Sequence, residues 1–205
     1  MKQKFLLAFI LVVPMVLCAQ QDRKGWYASV GVGYGSYELD LYNYNSGSGV
    51  YADQKFTQPV IWLGFEKKSF WQKENIVLDA GATLTGGFGL KLDGASSSGW
   101  SLGLDGLAKA GYLLGDEKTI VPLVGLGPYF MSLQSGGGDD GFSNQIFGLQ
   151  GYAGVDFRAS RFTVTPQLRF SIVGWGTTNR YIGSADNDIY APGMFEIGIK
   201  AALHL

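Results

Sequence analysis

From Gly25 to the end of the chain, apolar and small or polar residues alternate with a period of two, and a 3.6-residue helical period is hard to find. In Gly25 to Leu39 the even positions read Trp26, Ala28, Val30, Val32 and Tyr34. The odd ones read Tyr27, Ser29, Gly31, Gly33 and Gly35. Alternate residues of a strand face opposite sides of a sheet, so one face is greasy and the other nearly bare.

Seven further runs repeat the pattern. Phe56 to Glu66 puts Pro59, Ile61, Leu63 and Phe65 on one face. Ile76 to Lys91 sets Ile76, Leu78, Ala80, Ala82 and Leu84 against Asp79, Gly81, Thr83 and Thr85. Trp100 to Leu114 sets Trp100, Leu102, Leu104, Ala108, Ala110 and Tyr112 against Ser101, Gly103, Asp105, Lys109 and Gly111. Thr119 to Leu133 is apolar on both faces, with Ile120, Val124, Leu126 and Phe130 assigned outward. Asn144 to Arg158 sets Phe147, Leu149, Ala153, Val155 and Phe157 against Gln150, Tyr152, Gly154 and Asp156. Arg161 to Val173 sets Phe162, Val164, Leu168, Phe170 and Ile172 against Thr163, Thr165, Gln167 and Arg169. The last run sets Phe195, Ile197, Ile199, Ala201, Leu203 and Leu205 against Glu196, Gly198, Lys200 and His204. Most runs exceed the roughly 9–11 residues that a tilted membrane strand needs, and an even strand number puts both barrel termini on one side.

The bare face carries Gly, Ser, Thr and Gln with scattered charges, too few Lys and Glu for a sheet in water. Aromatics sit at the ends of the greasy face. Trp26, Phe65, Tyr112, Phe157 and Phe162 form a lower ring; Tyr34, Trp100, Phe130, Phe147, Phe170 and Phe195 form an upper one. Two aromatic girdles around an aliphatic band mark a lipid-facing barrel. The lower connections are the turns around 115–118 and 158–161 and a longer one at 66–75. The upper ones, 40–54, 93–99, 134–143 and 174–193, are mostly longer and rich in Gly, Ser, Asn and Asp, as external loops are. Pro59, Pro122, Pro128 and Pro166 fall inside runs. Proline has no N–H for a ladder, so local breaks or bulges are expected there.

The first twenty residues differ. Lys2 and Lys4 precede an apolar core, Phe5 to Leu17, and Ala19 stands where a signal peptidase cuts. The expected organisation is a helical signal peptide over residues 1–19 followed by an all-β, eight-stranded antiparallel up-and-down transmembrane barrel over 20–205. Leu17, where a lipoprotein signal has a small residue, argues against lipidation at Cys18. The core is too short for a comfortable anchor helix. Charged residues are 16% and aromatics 14% of the chain, glycines number 31, and the formal net charge is −1. Nothing in that balance attracts nucleic acid. One Cys and one His cannot form a disulfide or a zinc-ligand pattern.

The eight alternating runs, the signal and the closing FEIGIKAALHL resemble small outer-membrane β-barrels of the OmpA/OmpX type over residues 25–205. The resemblance implies insertion in the bacterial outer membrane, with its lipid and the barrel-assembly machinery as partners. Such barrels usually end in an aromatic residue, whereas this chain ends in Leu205. The resemblance speaks to fold and not to function.

An eight-stranded barrel is just wide enough for side chains to fill it. The inward charges Asp79, Asp105, Lys109, Asp156, Arg169, Glu196 and Lys200 are expected to form an interior polar network. Glu196 and Lys200, four apart on the closing strand, are expected to reach Asp or Arg on strands one and seven. No acid–Ser–His set can be built from the upper loops, and His204 is placed inward at the lower end, so no enzyme activity and no cofactor are expected. Asp139-Asp140 and Asp186-Asn187-Asp188 lack the ligand set of a calcium loop. GVGYG, GLGP and GGG lack the GK[ST] ending of a phosphate loop. The first loop, LYNYNSGSGVY, suits contact with an extracellular glycan or protein. The expected role is therefore structural or surface-interacting, through external loops around a plugged interior. A narrow pore or carrier of a small apolar ligand is the first alternative, motivated by inward Gly31, Gly33, Gly35, Gly81, Gly103 and Gly111. A soluble secreted β-barrel binding protein is the second.

Overall fold

The computed structural model describes residues 23–42, 50–92, 95–96, 99–115, 118–135, 142–159, 161–180 and 187–205. The signal segment, the centre of the first loop, Asp139-Asp140 and Asp186 lie outside them, as do the side chains of Asn187 and Asp188. The long strands are β1 (Gly25–Tyr42), β2 (Val50–Lys73), β3 (Ile76–Phe88), β4 (Trp100–Tyr112), β5 (Ile120–Ser135), β6 (Phe142–Ala159), β7 (Phe162–Arg180) and β8 (Asn187–His204). Each pairs antiparallel with the next, and β1 also pairs with β8, so the sheet closes on itself. Val30, for example, stands opposite Leu63 on one side and Ala201 on the other. Between β3 and β4, Lys91–Leu92 pairs with Ala95–Ser96 and with Phe56 and Thr57, a small extension of the wall at the loop end.

The two faces fall as the alternation requires. Val30 is 52%, Leu104 56% and Ile197 55% exposed, while Asp105 is 5% and Lys200 2% exposed. Grease therefore faces outward and ions inward. An aliphatic belt of that extent is intolerable in water and natural in hydrocarbon, so the barrel is a membrane-spanning one. Trp26, Phe65, Tyr112 and Phe162 lie exposed at the turn end, and Tyr34, Trp100, Phe130, Phe147, Phe170 and Phe195 at the loop end.

The connections are shorter than the sequence suggests. The expected loop over 174–193 is largely strand, because β7 runs to Arg180 and β8 starts at Asn187. The loop over 40–54 is likewise trimmed by β1 and β2, and that over 134–143 by β5 and β6. The expected turn over 66–75 reduces to Glu74 and Asn75, since β2 continues to Lys73. Bulges explain two of these errors. At Ile172 the register of β6 with β7 slips from Leu149↔Val173 to Gln150↔Ser171, and the phase reverses: Gly174 and Gly176 are buried and Trp175 is exposed. In β2 the register shifts between Lys67 and Trp71; Lys68 and Ser69 are both buried, and Phe70 and Trp71 are both exposed. At Ile172 one extra residue flips every later side chain to the other face; in β2 two extra residues keep the phase but interrupt the visible alternation.

The prolines produce breaks and not bulges. Pro128 lies in a gap of the β4–β5 ladder between Asp105↔Tyr129 and Ala108↔Leu126, with register unchanged. Pro166 lies in a similar gap of the β6–β7 ladder, between Gly154↔Gln167 and Phe157↔Val164. Pro59 and Pro122 stand one residue beyond the end of a ladder, at Val60↔Gly87 and Gly111↔Leu123. Each keeps its Cα pairing with the other neighbour, so the missing N–H interrupts one seam only.

Candidate functional site in the barrel lumen

The lumen is packed in layers. Nearest the loops lies an apolar cluster of Tyr37, Leu39, Phe56, Leu90, Tyr129, Met131, Leu133, Ile146 and Met194. These come from the loop-end inward positions of several strands. A second apolar cluster, including Val77, Leu107, Leu113, Val121 and Leu123, lines one wall toward the turn end. This explains why the run over Thr119 to Leu133 is greasy on both faces. The ions lie between and beside these clusters, in three groups.

Below the upper apolar cluster, Arg169 is the hub. Its Nη1 donates to Asp105 Oδ2 at 2.7 Å and lies 3.9 Å from Glu196 Oε2, while its Nη2 donates to Thr83 at 3.0 Å. Glu196 also accepts from Trp62 Nε1 at 3.0 Å and from the Tyr37 hydroxyl at 2.8 Å. The Arg169 guanidinium carbon sits 5.3 Å from the centre of the Trp62 ring, so the arginine is held by charge on one side and a π-face on the other. Asp105 Oδ1 and Gln150 Nε2 are both buried, with no strong hydrogen bond among the described residues, and both residues line a cavity of about 10 Å³ with Arg169, Glu196, Met131 and Met194. That volume holds about one water, which would satisfy such atoms.

At mid-height Glu66 receives two lysines, Lys109 Nζ at 2.9 Å and Lys200 Nζ. Lys109 Nζ also lies 5.0 Å from the centre of the Tyr152 ring. At the turn end Arg23, just ahead of β1, turns its side chain into the barrel. It bonds Asp79 at 2.7 and 2.5 Å, Asp156 at 3.0 Å and the Ser69 hydroxyl at 3.0 Å. Asp156 also takes Lys68 at 2.6 Å and Thr165 at 2.7 Å, and Asp79 accepts the Ser69 N–H at 2.8 Å. Ser69 has φ 48°, the conformation that lets its hydroxyl and N–H serve this cluster from the bulge.

The sequence-nominated residues thus divide among three groups: Asp105, Arg169 and Glu196 together, Lys109 and Lys200 on Glu66, and Asp79 and Asp156 around Arg23. Lys200 corrects the expectation for the closing strand, because it meets β2 and neither β1 nor β7. Its neighbour on β1 is Gly31, too small to stop it, and β1 offers no acid there. Arg23, Glu66 and Lys68 were missed. Arg23 precedes the first alternating run, and Glu66 and Lys68 fall in the stretch taken for a turn. Continuing the even-position parity of β2 through Gln58, Trp62 and Glu66 would have found Glu66 and Trp62.

The inward glycines are covered by neighbours. A Cβ at Gly31 would meet Trp62 Cε3 at 2.9 Å, at Gly81 Glu66 Cγ at 2.7 Å, and at Gly111 Leu123 Cδ2 at 2.6 Å. Gly103 alone of the six borders the small cavity. His204 stacks on Tyr27 at the turn end, ring centres 4.7 Å apart. Among the described residues no three His, Cys, Asp or Glu side chains stand together as a metal site.

No protein-family model and no curated protein sequence matches the chain. Solved structures of similar shape include the attachment invasion locus protein Ail of Yersinia pestis, at 12% identity and a TM-score of 0.47, covering 88% of this chain and 99% of that one. Neisserial surface protein A gives 12% identity and 0.47, covering 90% of this chain and 100% of its own. The outer-membrane protein AlkL gives 13% and 0.46, covering 91% and 93%. At such identities the likeness is one of fold and transfers no role.

Proposed function

We propose that the chain is a bacterial outer-membrane barrel with a plugged polar interior, whose role is structural or surface-interacting and is exercised through its external loops. The observation that carries this reading is the lumen itself. Its ions are paired across the tube, its glycine wall is covered by Trp62, and an apolar cluster closes the loop end. A closed antiparallel barrel with an apolar belt belongs to the outer-membrane architecture. A soluble secreted binding protein would leave that belt in water. On this reading outer-membrane lipid and the barrel-assembly machinery are the partners, and the loop around 43–49 would meet an extracellular glycan or protein. No chemistry is assigned to the barrel.

A narrow pore, or a carrier of a small apolar ligand, draws support from the inward apolar cluster. Those side chains are buried against one another, and the space that the glycines would have left is taken. Planar-bilayer recording separates the readings. The purified barrel, shown to be folded by its shifted mobility on an unboiled gel, is expected to carry no steady current. Reproducible current steps of single channels would overturn the plugged reading in favour of the pore.

A further inference from the structure

We infer that the turn end of the barrel carries, on the outer faces of β1 and β2, a binding surface for the headgroup of an anionic phospholipid. The inference rests on the membrane placement proposed above. Its geometry comes from the bulge in β2. Between Lys67 and Trp71 the strand gains two residues over its partner, and Phe70 and Trp71 both face outward, side by side and exposed to a similar degree. Beside them Trp26 stacks on Phe65, ring centres 4.8 Å apart and 15° between planes. Lys67 Nζ lies 5.0 Å from the centre of the Trp26 ring. Lys73, exposed, follows Trp71 by two residues on the same face, since Trp71 pairs with Leu78 and Lys73 with Ile76.

Indole rings settle at the level of phospholipid headgroups, and lysines beside them reach the phosphates. Charge selects the occupant. Glu74 is the exposed acid side chain among the described residues of this edge, against Lys67 and Lys73. At the neighbouring turn Lys118 is offset in sequence by Asp116 and Glu117, and Arg161 is exposed at the turn between β6 and β7; the lysines that lie beside exposed indoles are those of β2. The short turns place this end in the periplasmic leaflet, where the lipids are phospholipids. A zwitterionic headgroup would gain little from these two lysines. An anionic one, phosphatidylglycerol for instance, gains a roughly fivefold preference for each lysine near the surface.

The full barrel carrying W100F and W175F keeps Trp26 and Trp71 in contact with lipid, while Trp62 is sealed in the lumen. In liposomes containing equal fractions of lipid brominated on the acyl chain, phosphatidylglycerol is expected to quench this variant more strongly than phosphatidylcholine. The relative binding constant should be roughly five or more at low salt and fall as salt screens it. K67Q with K73Q, which removes both lysines counted above, should abolish the excess and leave quenching by phosphatidylcholine unchanged; K67R with K73R should keep it. Equal quenching by both lipids, or an excess that survives K67Q with K73Q, overturns the inference. Absence of quenching by either lipid overturns the membrane placement instead. Should the glutamine variant not fold, native mass spectrometry of the unmodified barrel decides: retention of phosphatidylglycerol over phosphatidylethanolamine supports the surface, and equal retention overturns it.

Discussion

Trp62 occupies the space that a side chain at residue 33 would need. A Cβ on Gly33 would lie 2.9 Å from Trp62 Cζ3 and 2.5 Å from the carbonyl oxygen of Ile197. The glycine-rich wall of β1 and the indole of β2 are therefore one packing unit, and the same indole supplies a hydrogen bond to Glu196 and a face to Arg169.

Gly33→Ala is expected to destabilise the barrel by about 1–3 kcal/mol, because the ring and a backbone carbonyl must both give way. Measured in a Trp62→Leu background, which is itself destabilised, Gly33→Ala should cost less than in the parent but still something, since the Ile197 carbonyl remains close. Urea titrations of folded and unfolded bands on unboiled gels would read both. A Gly33→Ala variant as stable as the parent would remove the packing argument.

Glu66 holds two lysines in a space closed to water, so its loss leaves two buried cations short of a partner. Glu66→Gln should cost about 3–5 kcal/mol, as breaking a buried pair does. Adding Lys200→Met to Glu66→Gln should restore a substantial part of that stability, because one stranded charge disappears. A double variant no better than the single one would mean that the lysines find other anions.

Arg23 and Asp79 form the other sharp test. Arg23→Ala leaves Asp79 with only the Ser69 N–H among its described bonds, whereas Asp156 keeps Lys68 and Thr165. The loss should be several kcal/mol, and Asp79→Asn in the Arg23→Ala background should return part of it. Unfolding midpoints measured in the same lipid compare the three. Equal stability of Arg23→Ala and the parent would show that Arg23 is dispensable for filling the turn end.

The fold was legible because the side-chain period of a strand is two and the two faces of this barrel have opposite tastes. Even in the ambiguous run, Ile120, Val124, Leu126 and Phe130 face outward as assigned. Legibility failed at the bulges. Beyond Ile172 the glycines at 174 and 176 look like loop residues, and beyond Lys67 the pair Phe70-Trp71 breaks the alternation, so continuing strands passed for loops. The charged lumen was readable in part: Arg23, Glu66 and Lys68 escaped the alternation, and so did the pairing. Parity tells that Lys200 points inward; it does not tell that glycines on β1 let it cross to Glu66 on β2. Arg23 carries no periodic signal, because it enters the lumen from outside the sheet.

The central claim, that bulky residues meet lipid while small and ionised ones fill the tube, is tested most directly by spin labels on single cysteines in a C18S background. Labels at Val30, Leu104 and Ile197, in liposomes, should be open to dissolved oxygen and closed to a water-soluble nickel complex. Labels at Ser29 and Ser101 should be immobilised and shielded from oxygen in the bilayer. If instead the labels at 30, 104 and 197 prove immobile and dry, or accessible to the nickel complex, the assignment of faces is wrong and the membrane barrel with it.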